Sequence, residues 1–214
     1  MRYYVVTGGP LTDKASEVIG EGKVIAADRG IDFCLKHGIK PCLALGDMDS
    51  VSKEGLEAIK RSGIEIKTYP VEKDFTDTEI ALSFIPENEE ITVVCPLNGR
   101  LDHVIANLQI ASSLHTEGRD IRLDDGLTEV YFLSGSETVT AGTGRWGNDS
   151  AVSVVPLTPE VKGVTLKGLY YPLEDGCIET GRSLSFSNRP AEGVREFSVT
   201  IKEGRAAVIV TRAV

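Results

Sequence analysis

The stretch Cys42-Leu43-Ala44-Leu45-Gly46-Asp47-Met48-Asp49-Ser50 constrains this chain most. Its apolar run is short and unbroken, the pattern of a strand buried on both faces in a parallel sheet. The run stops at a glycine, and carboxylates follow at i and i+2. In extended backbone Asp47 and Asp49 therefore project to one side. Ligands of open α/β sheets sit beyond the carboxyl ends of such strands, and two acidic side chains there suit a hard cation held by oxygen. The plainer alternative is a turn whose aspartates cap the following helix.

Similar runs recur on either side. Tyr3 to Val6 reads as a strand ending in Thr7-Gly8-Gly9-Pro10, and Lys23 to Ala27 as a second, ending in Asp28-Arg29-Gly30. A helix over Ile31 to His37 stops at Gly38 and Pro41. Ser52 is placed to cap a helix over about 53–61 that Gly63 ends. Ile64 to Tyr69 and Ile91 to Cys95 are further strands, and Thr76-Asp77-Thr78-Glu79 fits a capping box. Asp102 opens a long helix with Val104, Ile105, Leu108, Ala111 and Leu114 on one face, followed by a strand over Ile121 to Leu123. Strand and helix alternating in this way predict a mostly parallel sheet flanked by helices over residues 1–126.

Beyond the Asp124-Asp125-Gly126 boundary the helical periodicity disappears. Short β-rich runs replace it at Glu129 to Leu133, Thr138 to Ala141, Ala151 to Val155, Val164 to Leu169, Phe197 to Ile201 and Ala206 to Thr211. Residues 127–214 thus read as a smaller all-β sandwich.

The net charge is -9, which disfavours nucleic-acid binding, since that needs a basic footprint against phosphate. The same charge disfavours docking on an anionic membrane. No apolar run approaches a membrane span or a signal peptide, which points to a cytoplasmic protein. Without an export signal the acceptor-like triplet Asn148-Asp149-Ser150 reads as chance. The cysteines, at 34, 42, 95 and 177, have no metal-ligand spacing and read as reduced, mostly buried thiols.

Four loops that each follow an apolar strand carry the chemistry: Asp28-Arg29-Gly30, Gly46 to Ser50, Lys73 to Asp77, and Asn98 to His103. Together they bring Asp28, Asp47, Asp49, Asp74, Asp77 and Asp102, a set that repels itself by several kcal/mol as an order of magnitude unless neutralised. One or two Mg²⁺ ions would do so, while Lys73 and the planar fork of Arg100 suit phosphate oxygens. Carboxylates, Mg²⁺, Lys and Arg are the equipment of phosphoryl-type transfer. The chain has no G-x-x-x-x-G-K-[ST] loop, and its G-x-G-x-x-G match, Gly142 to Gly147, falls in the β-rich half with no helix to follow it, which is not the context of a dinucleotide site. His103 is a candidate general base, although a single histidine in a first helical turn also serves structure.

Several of these motifs resemble thiamine pyrophosphokinases. They are Ala27-Asp28-x-Gly30, Gly38-Ile39-x-Pro41, Gly46-Asp47-Met48-Asp49-Ser50-Val51, Lys73-Asp74-x-Thr76-Asp77-Thr78-Glu79-x-Ala81-Leu82 and Gly99-Arg100-Leu101-Asp102-His103-x-x-Ala106-Asn107-Leu108. Gly168-Leu169-Tyr170-Tyr171-Pro172-Leu173 and Ser187-Asn188 look like the family's substrate-side motifs. The resemblance implies a homodimer that moves the pyrophosphoryl group of ATP to thiamine with Mg²⁺, giving thiamine diphosphate and AMP. It implies metal and phosphate roles for Asp28, Asp47 and Asp49. Nucleotide-side roles fall to Lys73, Thr76, Asp77, Arg100 and Asp102. By the same resemblance Tyr171 stacks on the thiamine ring, with Ser187 and Asn188 hydrogen-bonding near it across the dimer interface. Two places depart from the family pattern. Arg29 stands where Asp-Gly-Gly is usual, and Asn98 where Gly-Gly-Arg is usual; asparagine tolerates positive φ better than most residues, so that turn is expected to survive.

Overall fold

The computed structural model describes residues 1–147 and 149–212. The chain divides into two compact units, Met1–Gly126 and Leu127–Val214. Asn148, of the acceptor-like triplet, lies outside the described residues.

In the first unit six strands lie in the order β4-β3-β2-β1-β5-β6. They are β1 (Arg2–Val6), β2 (Lys23–Ala27), β3 (Leu43–Gly46), β4 (Glu65–Thr68), β5 (Glu90–Val94) and β6 (Asp120–Asp124). Every neighbouring pair is parallel. The register sets Val6 opposite Ala26 and Val94, Ala27 opposite Leu45, and Gly46 opposite Thr68. The strands therefore finish together, and the loops that follow them leave from one edge. The order reverses between β1 and β5, which makes that edge a topological switch point.

The apolar runs are buried as expected: Tyr3 to Val6, Val24 to Ala27, Leu43 to Leu45 and Val93 to Cys95 are all nearly inaccessible. Tyr4, Val6, Val24, Ala26 and Ala44 share one core with Ile31 and Cys34 of α1 (Gly30–Lys36) and Ile59 of α2 (Lys53–Ser62). Gly30 lets α1 approach closely, because a Cβ there would lie 2.1 Å from the Val6 carbonyl oxygen. Ser52 caps α2 by accepting from the Gly55 amide, and Gly63 (φ 69°) ends it. α3 (Asp77–Ser83) begins on the full capping box of Thr76 and Glu79.

The 16-residue α4 (Leu101–Thr116) departs from expectation. Of its apolar stripe only Ala111 is buried, joined by Ser112, and Ile105 is 44% exposed. Small residues bring the helix against the sheet, so most of the larger aliphatic side chains stay half-covered. One element of the first unit escaped the sequence reading, a short 3₁₀ turn over Asp13–Val18 that buries Ala15.

The second unit is all-β. β7 (Thr128–Ser134), β13 (Arg205–Thr211) and β9 (Ala151–Pro156) pair antiparallel. The order β11-β10-β12-β8 forms a four-stranded antiparallel sheet from β8 (Glu137–Gly142), β10 (Glu160–Lys167), β11 (Leu173–Glu179) and β12 (Glu196–Ile201). Val152, Val154 and Val208 on one side and Val161, Leu166, Phe197 and Val199 on the other meet in a single core, the layering of a sandwich. β11 has no counterpart in the sequence reading. As an edge strand it buries only Ile178, so its sequence lacks an apolar alternation.

All four cysteines are free thiols, but only Cys34 and Cys95 are buried, and burial pushes both up to about 12. Cys42 and Cys177 are exposed, correcting the expectation of mostly buried thiols. Among the described residues no helix is long and apolar enough to cross a membrane.

Candidate active site

At the switch-point edge the loops enclose a cavity of about 510 Å³. Asp28, Asp47, Lys73, Thr76, Asp77 and Arg100, all singled out from sequence, line it. The turn after β1 contributes Thr7, Gly8, Gly9 and Pro10. That turn looked ordinary in the sequence, since one Gly-Gly pair is a weak signal. Its meaning depends on strand order: β1 sits at the reversal, and a Cβ on Gly9 would meet the Pro96 ring of the β5 loop at 2.8 Å. His103 and Asn107 of α4 complete the wall, and Asn107 had gone unremarked as a site residue.

The acidic centre is built on strained backbone. Asp28 adopts φ 46° and Met48 φ 64°, conformations that non-glycine residues rarely take and that cluster at functional sites. The Asp28 amide still donates to the Leu45 carbonyl at 3.0 Å, so the residue stays tied to the end of β3 while its carboxylate turns inward. Gly46 (φ 135°) makes room for that carboxylate, because a Cβ at 46 would fall 1.9 Å from Asp28 Oδ1. Asp47 does not cap α2, whose cap is Ser52. Asp47 lines the cavity, and its Oδ1 also accepts from the Asp49 amide at 3.0 Å to close the turn.

A single ammonium sits among these carboxylates. Lys73 Nζ lies 3.2 Å from Asp77 Oδ2 and 4.0 Å from Asp47 Oδ2, and none of the three side chains is more than 18% exposed. One positive charge does not balance Asp28, Asp47 and Asp77. Burial, and then the facing charges of Asp77 and Asp47, push Asp28 up to about 7, with Lys73 opposing. Asp28 Oδ1 and Asp77 Oδ1 are buried without a hydrogen-bond partner.

Three carboxylates expected at this edge do not line the cavity. Asp49 sits at its rim, exposed, with its carboxyl raised by Asp47. Asp102 is turned away into a two-pronged pair with Arg100, at 3.2 Å and 2.6 Å, which holds its carboxyl below the usual range. Asp74 is exposed and also absent from the lining. Asn98 needs no tolerance of positive φ, because Gly99 (φ 90°) supplies the left-handed step of that loop.

The remaining predicted residues belong to the second unit. Tyr171 is 61% exposed and meets Tyr170 edge to face at 4.9 Å, while the Arg189 guanidinium covers the Tyr170 ring at 4.0 Å. Asn188 is buried, and its amide is spent on the backbone. Oδ1 accepts from the Tyr171 and Arg189 amides at 3.0 Å and 2.9 Å, and Nδ2 donates to the Tyr171 carbonyl at 2.7 Å. It holds the tyrosine loop in place. Ser187 takes φ 55° and donates its amide to Ser153 Oγ at 3.0 Å.

These features define an α/β protein with a cavity of crowded carboxylates, one lysine and two arginines at its sheet edge, carried in one chain with a β-sandwich. The family model for the thiamin pyrophosphokinase catalytic domain matches residues 18–123, and that for its vitamin B1 binding domain matches residues 145–205. The thiamine pyrophosphokinase of Bacillus subtilis (strain 168) is 28% identical over 189 residues, covering 86% of this chain and 87% of its own length. A crystal structure of the Bacillus subtilis thiamine pyrophosphokinase superposes over 100% of both chains, with TM-score 0.85 and 25% identity. That of a thiamin pyrophosphokinase from Geobacillus thermodenitrificans covers 100% of this chain and 98% of its own, with TM-score 0.79 and 28% identity. The chain belongs to the thiamin pyrophosphokinase family.

Proposed function

We propose that this protein transfers the pyrophosphoryl group of ATP to the hydroxyl of thiamine. The thiamine oxygen bonds to the β-phosphorus and the bond from that phosphorus to the α,β-bridging oxygen breaks. The electron pair leaves with AMP, and the hydroxyl proton passes to solvent. The observation that carries the reading is the convergence of Asp28, Asp47, Lys73, Asp77 and Arg100, from four separate loops, on one cavity at the switch point.

The carboxylates fit Mg²⁺. Two buried, unpartnered oxygens and an aspartate raised to about 7 mark a place short of positive charge. Among the described residues no three acidic or histidine side chains form a ready cage. That suits an ion that takes one or two carboxylates and fills its shell with water and phosphate. One or two of Asp28, Asp47 and Asp77 would hold it, and when bound it would supply charge neutralisation for the polyphosphate. Lys73, held by Asp77 and Asp47, presents a fixed ammonium to phosphate oxygens. Val71, Phe75 and Pro96 add apolar surface to the lining, with Val71 and Phe75 largely exposed.

On the sandwich side, the exposed ring of Tyr171 is the platform for the flat cationic heterocycle, with Asn188 fixing the loop beneath it. The working assembly we propose is a cytoplasmic homodimer with its site completed at the subunit interface. Following phosphorus by NMR in a mixture of protein, thiamine, ATP and Mg²⁺ tests the reaction. AMP and thiamine diphosphate should grow in equal amounts, whereas ADP with thiamine monophosphate, or no change, would overturn it.

A further inference from the structure

Arg29 occupies a place that the reaction as described leaves unused. It lines the cavity between Asp28 and the start of α1, with its Cβ 3.4 Å from where a side chain on Gly8 would begin. Its stem therefore lies across the β1 turn at the switch point. The other two long cations of the lining are committed: Lys73 to Asp77 and Asp47, Arg100 to Asp102. Among the described residues Arg29 has neither an ion pair nor a side-chain hydrogen bond. Its natural helical partner, Asp32, is three residues on, but both Asp32 oxygens are taken by Ser52, from the amide at 3.0 Å and the hydroxyl at 2.5 Å. Its exposed guanidinium is thus uncommitted at the edge of the cavity that the proposed reaction gives to a polyphosphate.

Resting on the pyrophosphoryl-transfer reading, we infer that Arg29 is a positioning residue for the β- and γ-phosphates of the nucleotide. The carboxylates and Lys73 leave the cavity net negative, and a triphosphate entering it brings further negative charge. A planar fork beside Asp28 grips two oxygens of a terminal phosphate without disturbing the carboxylates that hold the cation. The contact is specific to phosphate number, since AMP has no group that reaches it.

The test compares calorimetric binding of α,β-methylene-ATP with Mg²⁺, whose replaced bridge is the bond the reaction breaks, with binding of AMP. Arg29→Gly and Arg29→Ala should weaken the analogue about tenfold, the scale of a charged hydrogen bond, and leave AMP unchanged. Arg29→Lys should retain part of the affinity. In turnover the glycine variant should raise KM for ATP more than it lowers kcat. Equal analogue affinity in wild type and variants, or an equal loss for AMP, would overturn the inference. Thiamine-dependent AMP formation by the wild type is measured alongside. If it is absent while the phosphate-dependent loss persists, the transfer reading falls and the Arg29 contact stands; if the wild type binds no nucleotide, both fall.

Discussion

Asp28 is the residue on which the charge of the cavity bears most strongly. Burial and two facing carboxylates raise it from an ordinary 3.8 to about 7, so the folded protein keeps a proton that the unfolded chain has already released. Stability of the metal-free protein must then fall as pH rises from about 4 to about 7 and stay low above that. Replacing Asp28 with asparagine removes the penalty. Urea denaturation without metal should show Asp28→Asn more stable than wild type by about 1–2 kcal/mol at pH 8, after discounting for a half-exposed group, and no gain at pH 4. Activity should be lost all the same. Asp47 and Asp49 separate by the same reasoning. Asp47 lines the cavity beside Lys73 while Asp49 is exposed at the rim, so Asp47→Asn should lower kcat by about 100-fold and Asp49→Asn by clearly less. Steady-state rates at saturating ATP rank the two.

Elements set where those residues stand. The capping box at Thr76 starts α3 and fixes the turn that carries Lys73 and Asp77, and Thr76→Ala should cost about 1 kcal/mol in urea denaturation. In the sandwich, Asn188→Ala leaves the Tyr171 amide and carbonyl without their side-chain partner. If Tyr171 is the thiamine platform, that variant should raise KM for thiamine more than it lowers kcat, and an unchanged KM would remove the loop from substrate binding. Legibility in the sequence followed the same division. β1, β2, β3 and β5 were readable because burial on both faces leaves an unbroken apolar run. The caps at Ser52 and Thr76 were readable because their hydrogen bonds are local. β11 was not, since an exposed edge strand carries no alternation, and the importance of Gly8-Gly9 was not, since it depends on which strand neighbours β1. Pairing between separated positions was equally hidden: the capture of Asn188 by the Tyr171 backbone joins residues 17 apart.

For the molecule as a whole, the parallel register of the first unit gathers acidic loops into a cavity with too little positive charge of its own. Chelating divalent ions should accordingly weaken ATP binding strongly while leaving AMP binding nearly unchanged. The most direct measurement is a crystal structure with α,β-methylene-ATP and Mn²⁺, whose anomalous scattering marks the ion without ambiguity. We expect Mn²⁺ bonded to one or two of Asp28, Asp47 and Asp77, with the triphosphate lying along Lys73 and the Gly8-Gly9 turn. Mn²⁺ and triphosphate bound away from these carboxylates would contradict the account.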